Sequence, residues 1–443
     1  MSKKIKYHLI SLGCAKNKVD SESMVSILNH AGFIAVEKPA KADFIIVNTC
    51  GFIQDARQES LDTLKILAKK KKPGQLLIAS GCLIERYRHK IIEEIPGIDG
   101  ILGTRRWMDI LQVVNEVRSG KNHSPHYHLP DAPSIGIDDQ GIPRIAVQGK
   151  SAYIKIADGC RRTCAFCAIP LIKGPAVSRP TEDILRDARL LQELDTKEII
   201  LIAQDTTDYG SDLGITNGLA RLLERLVIDV PSIPWIRILY TYPGYVTDQL
   251  IDVMAKNAQI LPYLDIPLQH AHPAILKRMQ RPHKMEEVYK TITKMRAAMP
   301  ELAIRSTFIV GYPEETEEEF QTLIDFIQEI RFDHVGAFTY SFEKGTASER
   351  LGDPIPAEIK ADRLNRLMSL QESVSLSINQ GYIGKDLDIL VEGSNQGISI
   401  GRSYRDSPEI DGLTFIEKEL PIGEITRVQI TGAMVHDLIG QVV

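Results

Sequence analysis

The stretch DGCRRTCAFCAIP, residues 158–170, places Cys160, Cys164 and Cys167 in a C-x3-C-x2-C spacing and holds three of the six cysteines of the 443-residue chain. Three thiolates suit neither of the commoner uses of cysteine. A structural zinc site closes with four ligands, and a disulfide takes two. They do suit a [4Fe–4S] cube in which three irons are held by thiolates and the fourth keeps a position open for a small-molecule ligand. A zinc site with a distant fourth ligand, and inert core cysteines, are the competing readings of the same residues. The strand-like run SAYIKIADG leads directly into the loop, and the carboxyl ends of βα-barrel strands are where such folds gather their chemistry.

The other cysteines share a different regularity. Cys14, Cys50 and Cys82 each end a strand-like run: YHLISLGC, DFIIVNTC and LLIASGC. In an open parallel sheet the carboxyl ends of the strands face one crevice, so residues far apart in sequence converge there. A second open triplet results, with one iron vacant if it holds a cube. The alternative is three buried cysteines that happen to end strands, since free cysteine is often buried.

Both triplets need an α/β frame to position them, and the pattern supplies one. Residues 1–118 alternate strand and helix, as in a parallel, doubly wound sheet: IKYHLISLG, the helix SESMVSILNHAG, ADFIIVNT, the helix IQDARQESLDTLKILAKKKK, then QLLIASG. Residues 119–150 are rich in Pro, Gly, Asp and His without a period and read as a linker. His123, His126 and His128 within it are read as part of a solvated connector rather than as metal ligands. Residues 151–380 carry six strand candidates (SAYIKIA, KEIILIA, WIRILYT, LPYLDIP, AIRSTFIV and HVGAFTY), most followed by helical patterns. Six βα units imply a partial (βα)6 barrel, and a helical stretch over 355–380 closes it. Residues 381–443 switch to short strands between turns, the pattern of a small antiparallel, OB-like β-barrel. That module holds ten Asp/Glu and five Lys/Arg, so it suits a basic partner better than a phosphate backbone.

Composition narrows the class. Hydrophobic content of 43% and charged content of 25% are those of a globular protein, and a net charge of −5 makes no global case for nucleic-acid binding. No apolar run is long enough to span a bilayer. The start, MSKKIKYHLISLGC, lacks the long apolar core and cleavage-type ending of a signal peptide. A cytoplasmic location is expected, where thiols stay reduced and cysteine clusters mean metal or catalysis.

The C-x3-C-x2-C loop after the first strand of a βα barrel resembles the radical S-adenosylmethionine superfamily. The resemblance implies that the open iron chelates the amino and carboxylate groups of S-adenosylmethionine. An electron from the cluster then cleaves the cofactor to methionine and a 5′-deoxyadenosyl radical. It implies a place near the adenine for Phe166, the aromatic residue before the last cysteine. Joined to the second triplet and the terminal β-barrel, the whole chain resembles the methylthiotransferases: an N-terminal domain holding an auxiliary [4Fe–4S] cluster on Cys14, Cys50 and Cys82, a radical barrel holding the other on Cys160, Cys164 and Cys167, and a C-terminal TRAM domain. Members replace a C–H bond by C–S–CH3, with one S-adenosylmethionine as methyl donor and a second as radical source. The cofactors carry the chemistry, and no single residue is assigned as catalytic.

Two branches fit. SLGCAKNKVDSE, NTCGFIQDARQES, LIAQDTTDYG, PLQHAHPAILKRMQR and GRSYRDSPEIDG resemble the branch that modifies the β-carbon of an aspartate in ribosomal protein S-12. The branch that modifies an adenosine beside the anticodon of tRNA reads closer to T-x-G-C-Q-M-N and tends to a basic TRAM domain. The expected partners are therefore S-12, free or within the small ribosomal subunit, and a reduced flavodoxin or ferredoxin as electron donor. A non-catalytic ribosome- or RNA-binding protein is the rival from another class. Closed sites are the structural pattern, so two open triplets argue against it. Gln204, Asp205 and Arg305 are further cofactor-binding candidates: the first two follow the second barrel strand, and Arg305 lies in AIRSTFIV, where it can meet a carboxylate. Gln269 and His270 end another strand, with His270 a candidate for proton transfer. Arg161 and Arg162 sit inside the cluster loop, to stabilise a negative cluster, to contact substrate, or simply as a solvated pair.

Overall fold

The computed structural model describes residues 4–120, 125–132, 135–136 and 141–443; His123 lies outside them. Six strands form a parallel sheet at the N-terminus: β1 (Lys6–Ser11), β2 (Ile34–Ala35), β3 (Phe44–Thr49), β4 (Leu76–Gly81), β5 (Gly100–Gly103) and β6 (His126–His128). Their order is β2-β1-β3-β4-β5-β6. All six residues of β3 are buried, as expected of a strand covered on both faces. The period of two then sorts its side chains. Phe44 and Ile46 enter one core with Tyr7, Ile78 and Trp107, while Ile45 and Val47 enter the opposite core with Leu77, Ala79 and Ile101. Strand order reverses between β1 and β3, so the crevice over their carboxyl ends is a topological switch point.

The second sheet contains β7 (Ile145–Gln148), β8 (Ser151–Lys155), β11 (Glu198–Ile202), β12 (Trp235–Ile238), β13 (Ile260–Asp265), β14 (Ala303–Val310) and β15 (His334–Thr339). Between β8 and β11, the short β9 (Ala157–Asp158) and β10 (Val177–Ser178) pair as an antiparallel ribbon. The sheet order is β15-β14-β13-β12-β11-β8-β7, with only β7 antiparallel. The six expected parallel strands are all present. The stretch 119–150 differs from a plain linker, because β6 joins the edge of the first sheet and β7 the edge of the second. Three- and four-residue edge strands are too short to leave a period in the sequence. After β14 a helix starts at Glu317, where Thr316 forms a capping box with Glu319. The helix after β1 starts earlier than the sequence suggests, at Ala15, directly after Cys14.

A closed barrel ends the chain: β16 (Asp386–Asn395), β17 (Ile398–Arg402), β18 (Thr414–Ile416), β19 (Ile425–Ala433) and β20 (Leu438–Val442). It is not wholly antiparallel. β19 lies between β18 and β20 in sequence and the chain reverses before and after it, so β20 runs antiparallel to β19 and parallel to β18. Buried ion pairs fasten it to the second sheet. Glu198 accepts from Arg237 and Arg402 at 2.7 Å each, and from Ser151 at 2.7 Å. Arg405 pairs with Asp333 at 3.1 Å. No helix among the described residues is long and apolar enough to cross a membrane.

Candidate functional site

Cys14, Cys50 and Cys82 follow β1, β3 and β4, three adjacent strands, so their thiols share the switch-point crevice. Glycine makes the approach possible. Gly13 has φ +87°, and a Cβ there would lie 2.7 Å from Cys50 Cβ and 2.9 Å from its Sγ. Gly81, at φ +102°, would meet the Thr49 carbonyl oxygen at 2.4 Å. Ser60 fixes Cys50 by accepting from its N–H and donating to its carbonyl, both at 3.0 Å.

Cys160, Cys164 and Cys167 lie in the loop between β9 and β10, at the carboxyl edge of the second sheet. Donors surround their sulfurs. The Arg162 N–H lies 3.4 Å from Cys160 Sγ, Arg281 Nη1 3.4 Å from Cys164 Sγ, and the Tyr242 hydroxyl 3.7 Å from Cys164 Sγ. Positive and N–H donors are what an anionic thiolate cluster needs.

The thiols act on one another within each triplet. Burial pushes Cys82 up to about 12, with Cys14 and Cys50 adding to the shift. Burial likewise lifts Cys160 to about 11 and Cys167 to about 12, with Cys164 contributing to both. Burial also raises Cys14, but Lys16, the Asn17 N–H and Lys173 outweigh it and hold that thiol below its ordinary value. Cys14 is open to solvent although protein surrounds it, the situation of a group on a crevice wall. Among the described residues no three His, Cys, Asp or Glu side chains converge tightly enough for a single ion. A cube offers each thiolate its own iron and takes a wider spacing, so the donor set fits [4Fe–4S].

The two triplets adjoin. Cys82 packs against Ala168 and Ile172, just beyond Cys167. Arg105 ties the same turn to the first sheet, donating to the carbonyls of Ile172 at 2.9 Å and Leu171 at 2.8 Å. Beside them is a buried charge cluster. Lys155 lies 2.6 Å from both Asp20 and Asp158, Lys173 lies 3.3 and 3.2 Å from the same carboxylates, and Arg144 pairs with both. It locks the helix after Cys14 to the strand leading into the second triplet.

The remaining candidates divide. Gln204 has a buried Oε1 with no partner. Asp205 is held by Arg162 Nε at 2.6 Å and by Thr207. Arg162 also lies over the Tyr245 ring at 3.6 Å, and Arg161 pairs with Asp208. Arg162 is therefore committed to protein partners, whereas Arg161 stays exposed to solvent while paired. Phe166 packs on a cluster of Ile275, Met279, Tyr312 and Tyr340. Arg305 does meet carboxylates, Asp265 at 3.3 Å and Asp411 at 3.2 Å, but they are the chain's own. His270 is fully buried, 2.9 Å from Glu315, and its Nδ1 accepts from the His272 N–H, a structural arrangement rather than one for proton transfer. Gln269 sits at φ +76° and bonds through its backbone to Thr307 and Ile309. Sequence reading passed over Lys16, Lys173, Tyr240, Tyr242 and Arg281. Tyr240 and Tyr242 follow β12 at the active edge, which was a usable signal; the others act across elements and left none. A cavity of about 530 Å³ opens beside Tyr245 and is lined by Ile266, Leu268 and His283, with no residue of the cysteine loop in its wall.

Fold and family matches together define a radical S-adenosylmethionine enzyme. Residues 154–327 match the radical SAM superfamily, residues 6–103 match uncharacterized protein family UPF0004, and residues 383–443 match the TRAM domain. The ribosomal protein uS12 methylthiotransferase RimO of Chloroflexus aurantiacus is 44% identical over 99% of both chains. The protein of the same name from Synechocystis sp. is 43% identical over 97% of this chain and 96% of that one. Among solved structures, the radical S-adenosylmethionine methyltransferase TsrM of Kitasatospora setae, with cobalamin and a [4Fe-4S] cluster bound, shares the fold at 12% identity. Its TM-score is 0.58 over 90% of this chain and 77% of that one. The chain belongs to the ribosomal protein uS12 methylthiotransferase family, whose chemistry uses S-adenosylmethionine and [4Fe–4S] clusters.

Proposed function

We propose that this chain methylthiolates the β-carbon of an aspartate in uS12, the small-subunit protein S-12. In this reading Cys160, Cys164 and Cys167 hold the cluster that binds S-adenosylmethionine, and Cys14, Cys50 and Cys82 hold the auxiliary cluster. The observation that carries it is the meeting of two open cysteine triplets at the joined carboxyl edges of two sheets, through the contact of Cys82 with Ala168 and Ile172. One S-adenosylmethionine supplies the methyl group, a second the hydrogen-abstracting radical, and the clusters the electron and the sulfur. The chain's own residues hold these parts in register. Arg281 and Tyr242 donate toward Cys164, Arg162 anchors the loop to Asp205, and the cluster around Asp20 and Asp158 fixes the distance between the two triplets.

Phe166 and Gln204 are the candidates for cofactor contact, with the unpartnered Gln204 Oε1 available as an acceptor. Asp205 and Arg305 contribute by holding the loop and the terminal barrel. The electron donor in this reading is a reduced flavodoxin or ferredoxin, and the compartment is the cytosol, where six unpaired cysteines stay reduced. The terminal barrel supports a basic protein over tRNA. Arg402 and Arg405 are buried in ion pairs, as are the acids Asp406 and Asp411, leaving Lys385, Lys418 and Arg427 exposed among eight acidic residues.

The test is to incubate anaerobically reconstituted enzyme, reductant and S-adenosylmethionine with purified uS12 or with tRNA. A methylthio mass gain on an aspartate of uS12 is expected. A gain on tRNA alone would replace the substrate, and failure to form 5′-deoxyadenosine would end the radical reading.

A further inference from the structure

We propose that Lys16 receives the carboxylate of the substrate aspartate and so selects an aspartyl side chain; the inference rests on the uS12 reading above. Lys16 lies in the first turn of the helix that follows Cys14 and reaches out of the first unit into the second. Its Nζ stands 3.1 Å from the centroid of the Tyr240 ring, just past the carboxyl end of β12. The ammonium is thus placed between the auxiliary triplet and the inner edge of the barrel, where the substrate carbon has to pass from radical to sulfur donor.

What sets it apart is the lack of an ion-pair or hydrogen-bond partner, its charge acting across the crevice on Cys14 and Asp265. Every other cation around the crevice is engaged. Lys155, Lys173 and Arg144 share Asp20 and Asp158; Arg161 and Arg162 hold Asp208 and Asp205. Arg305 holds Asp265 and Asp411, and Arg281 donates to Cys164 Sγ and the Pro267 carbonyl. Among the described residues, no ion pair or hydrogen bond is formed by Lys16 Nζ, and none by the Tyr240 hydroxyl beside it. The negative face of the ring offsets part of the cost of holding a desolvated cation. A carboxylate arriving from outside would offset the rest.

The ring is held in place at some expense. Tyr240 adopts φ +62°, a region that bulky side chains rarely occupy. Its N–H donates to Asp265 Oδ2 at 3.1 Å, and its carbonyl accepts from the Thr206 N–H at 3.0 Å and hydroxyl at 3.1 Å. Strain maintained by surrounding bonds is a mark of functional positioning. The chemistry fits as well. The β-carbon of aspartate is bonded directly to its carboxylate, so gripping that group leaves the reacting C–H one bond away. An asparagine in the same place offers no charge to grip.

The test compares binding and turnover of uS12 carrying its target aspartate with uS12 carrying asparagine there. The proteins are reconstituted wild type, Lys16→Met and Lys16→Arg. Wild type should prefer aspartate by roughly 10- to 100-fold in Kd, the range of a charge-assisted hydrogen bond. Lys16→Met should lose most of that preference, and Lys16→Arg should keep much of it. An undiminished preference in Lys16→Met overturns the inference. So does loss of the auxiliary irons in that variant, which would assign the charge to holding the cluster. If wild type neither binds nor modifies uS12 while 5′-deoxyadenosine still forms, the substrate reading itself falls, and the inference with it.

Discussion

A methyl group on residue 13 would occupy the space that Cys50 now fills, 2.7 Å from its Cβ. Gly13→Ala should therefore cost the protein its auxiliary irons and leave those of the 160–167 loop in place, as counted by anaerobic iron analysis. Retention of all the irons would show that the crevice relaxes around the extra carbon. The triplets should also separate functionally. Cys164→Ala should abolish formation of 5′-deoxyadenosine, whereas Cys50→Ala should spare part of it and block methylthiolation, both read by chromatography and mass spectrometry of one reaction. Normal methylthiolation by Cys50→Ala would remove the auxiliary site from the mechanism. Where the six cysteines lie, three after adjacent strands and three in one loop, was legible from the sequence because those signals are local. Lys16 and Arg281 were not, since each acquires its meaning from a side chain far away in sequence, the Tyr240 ring and Cys164 Sγ.

At the scale of elements, strand β11 begins with a fully buried carboxylate, Glu198, and the terminal barrel contributes Arg402 to it. Burial alone would raise the Glu198 pKa, but Arg402 and Arg237 outweigh it and hold the carboxyl at about 2. A carboxylate depressed in the folded state stabilises fully above its unfolded value of about 4.5, and that contribution is lost as the pH falls toward about 2. Glu198→Gln should flatten this acid limb in a plot of Tm against pH. Arg402→Ala leaves the carboxylate buried and short of a partner, and should destabilise by about 3–5 kcal/mol in chemical unfolding. A loss below about 1 kcal/mol would mean that water reaches Glu198, since exposed pairs are worth no more than that. The strands at both ends of this pairing were evident, one from KEIILIA and the other from the short strands between turns over 381–443. The joint was not, because an arginine in a short strand looks the same whether it faces solvent or a buried acid. Edge strands β6 and β7 escaped for want of length, and the parallel closure of β18 on β20 is a property of connectivity that alternation along a strand does not encode.

Taken as a whole, the molecule joins two sheets whose carboxyl edges meet, and the joint combines apolar contacts, Val19 with Ala146, Tyr153 and Ile200 and Cys82 with Ala168 and Ile172, with a buried charge cluster. Asp20 from the first unit and Asp158 from the second are bridged by Lys155, Lys173 and Arg144. Such a joint fixes the spacing of two reaction centres, which a sulfur transfer between them requires. The three-part order was visible in the change from βα alternation to short turns, but the joint was invisible, because the five residues of its charge cluster come from four separate segments.

The most direct test is anaerobic iron and sulfide analysis with Mössbauer spectroscopy on wild type and on variants lacking either triplet. About eight irons in the wild type, falling to about four in each variant, are expected if each triplet holds a cube of its own. About four irons in the wild type, all lost with Cys160, Cys164 and Cys167, would leave a radical enzyme without a sulfur-carrying cluster and would contradict methylthiolation by this chain.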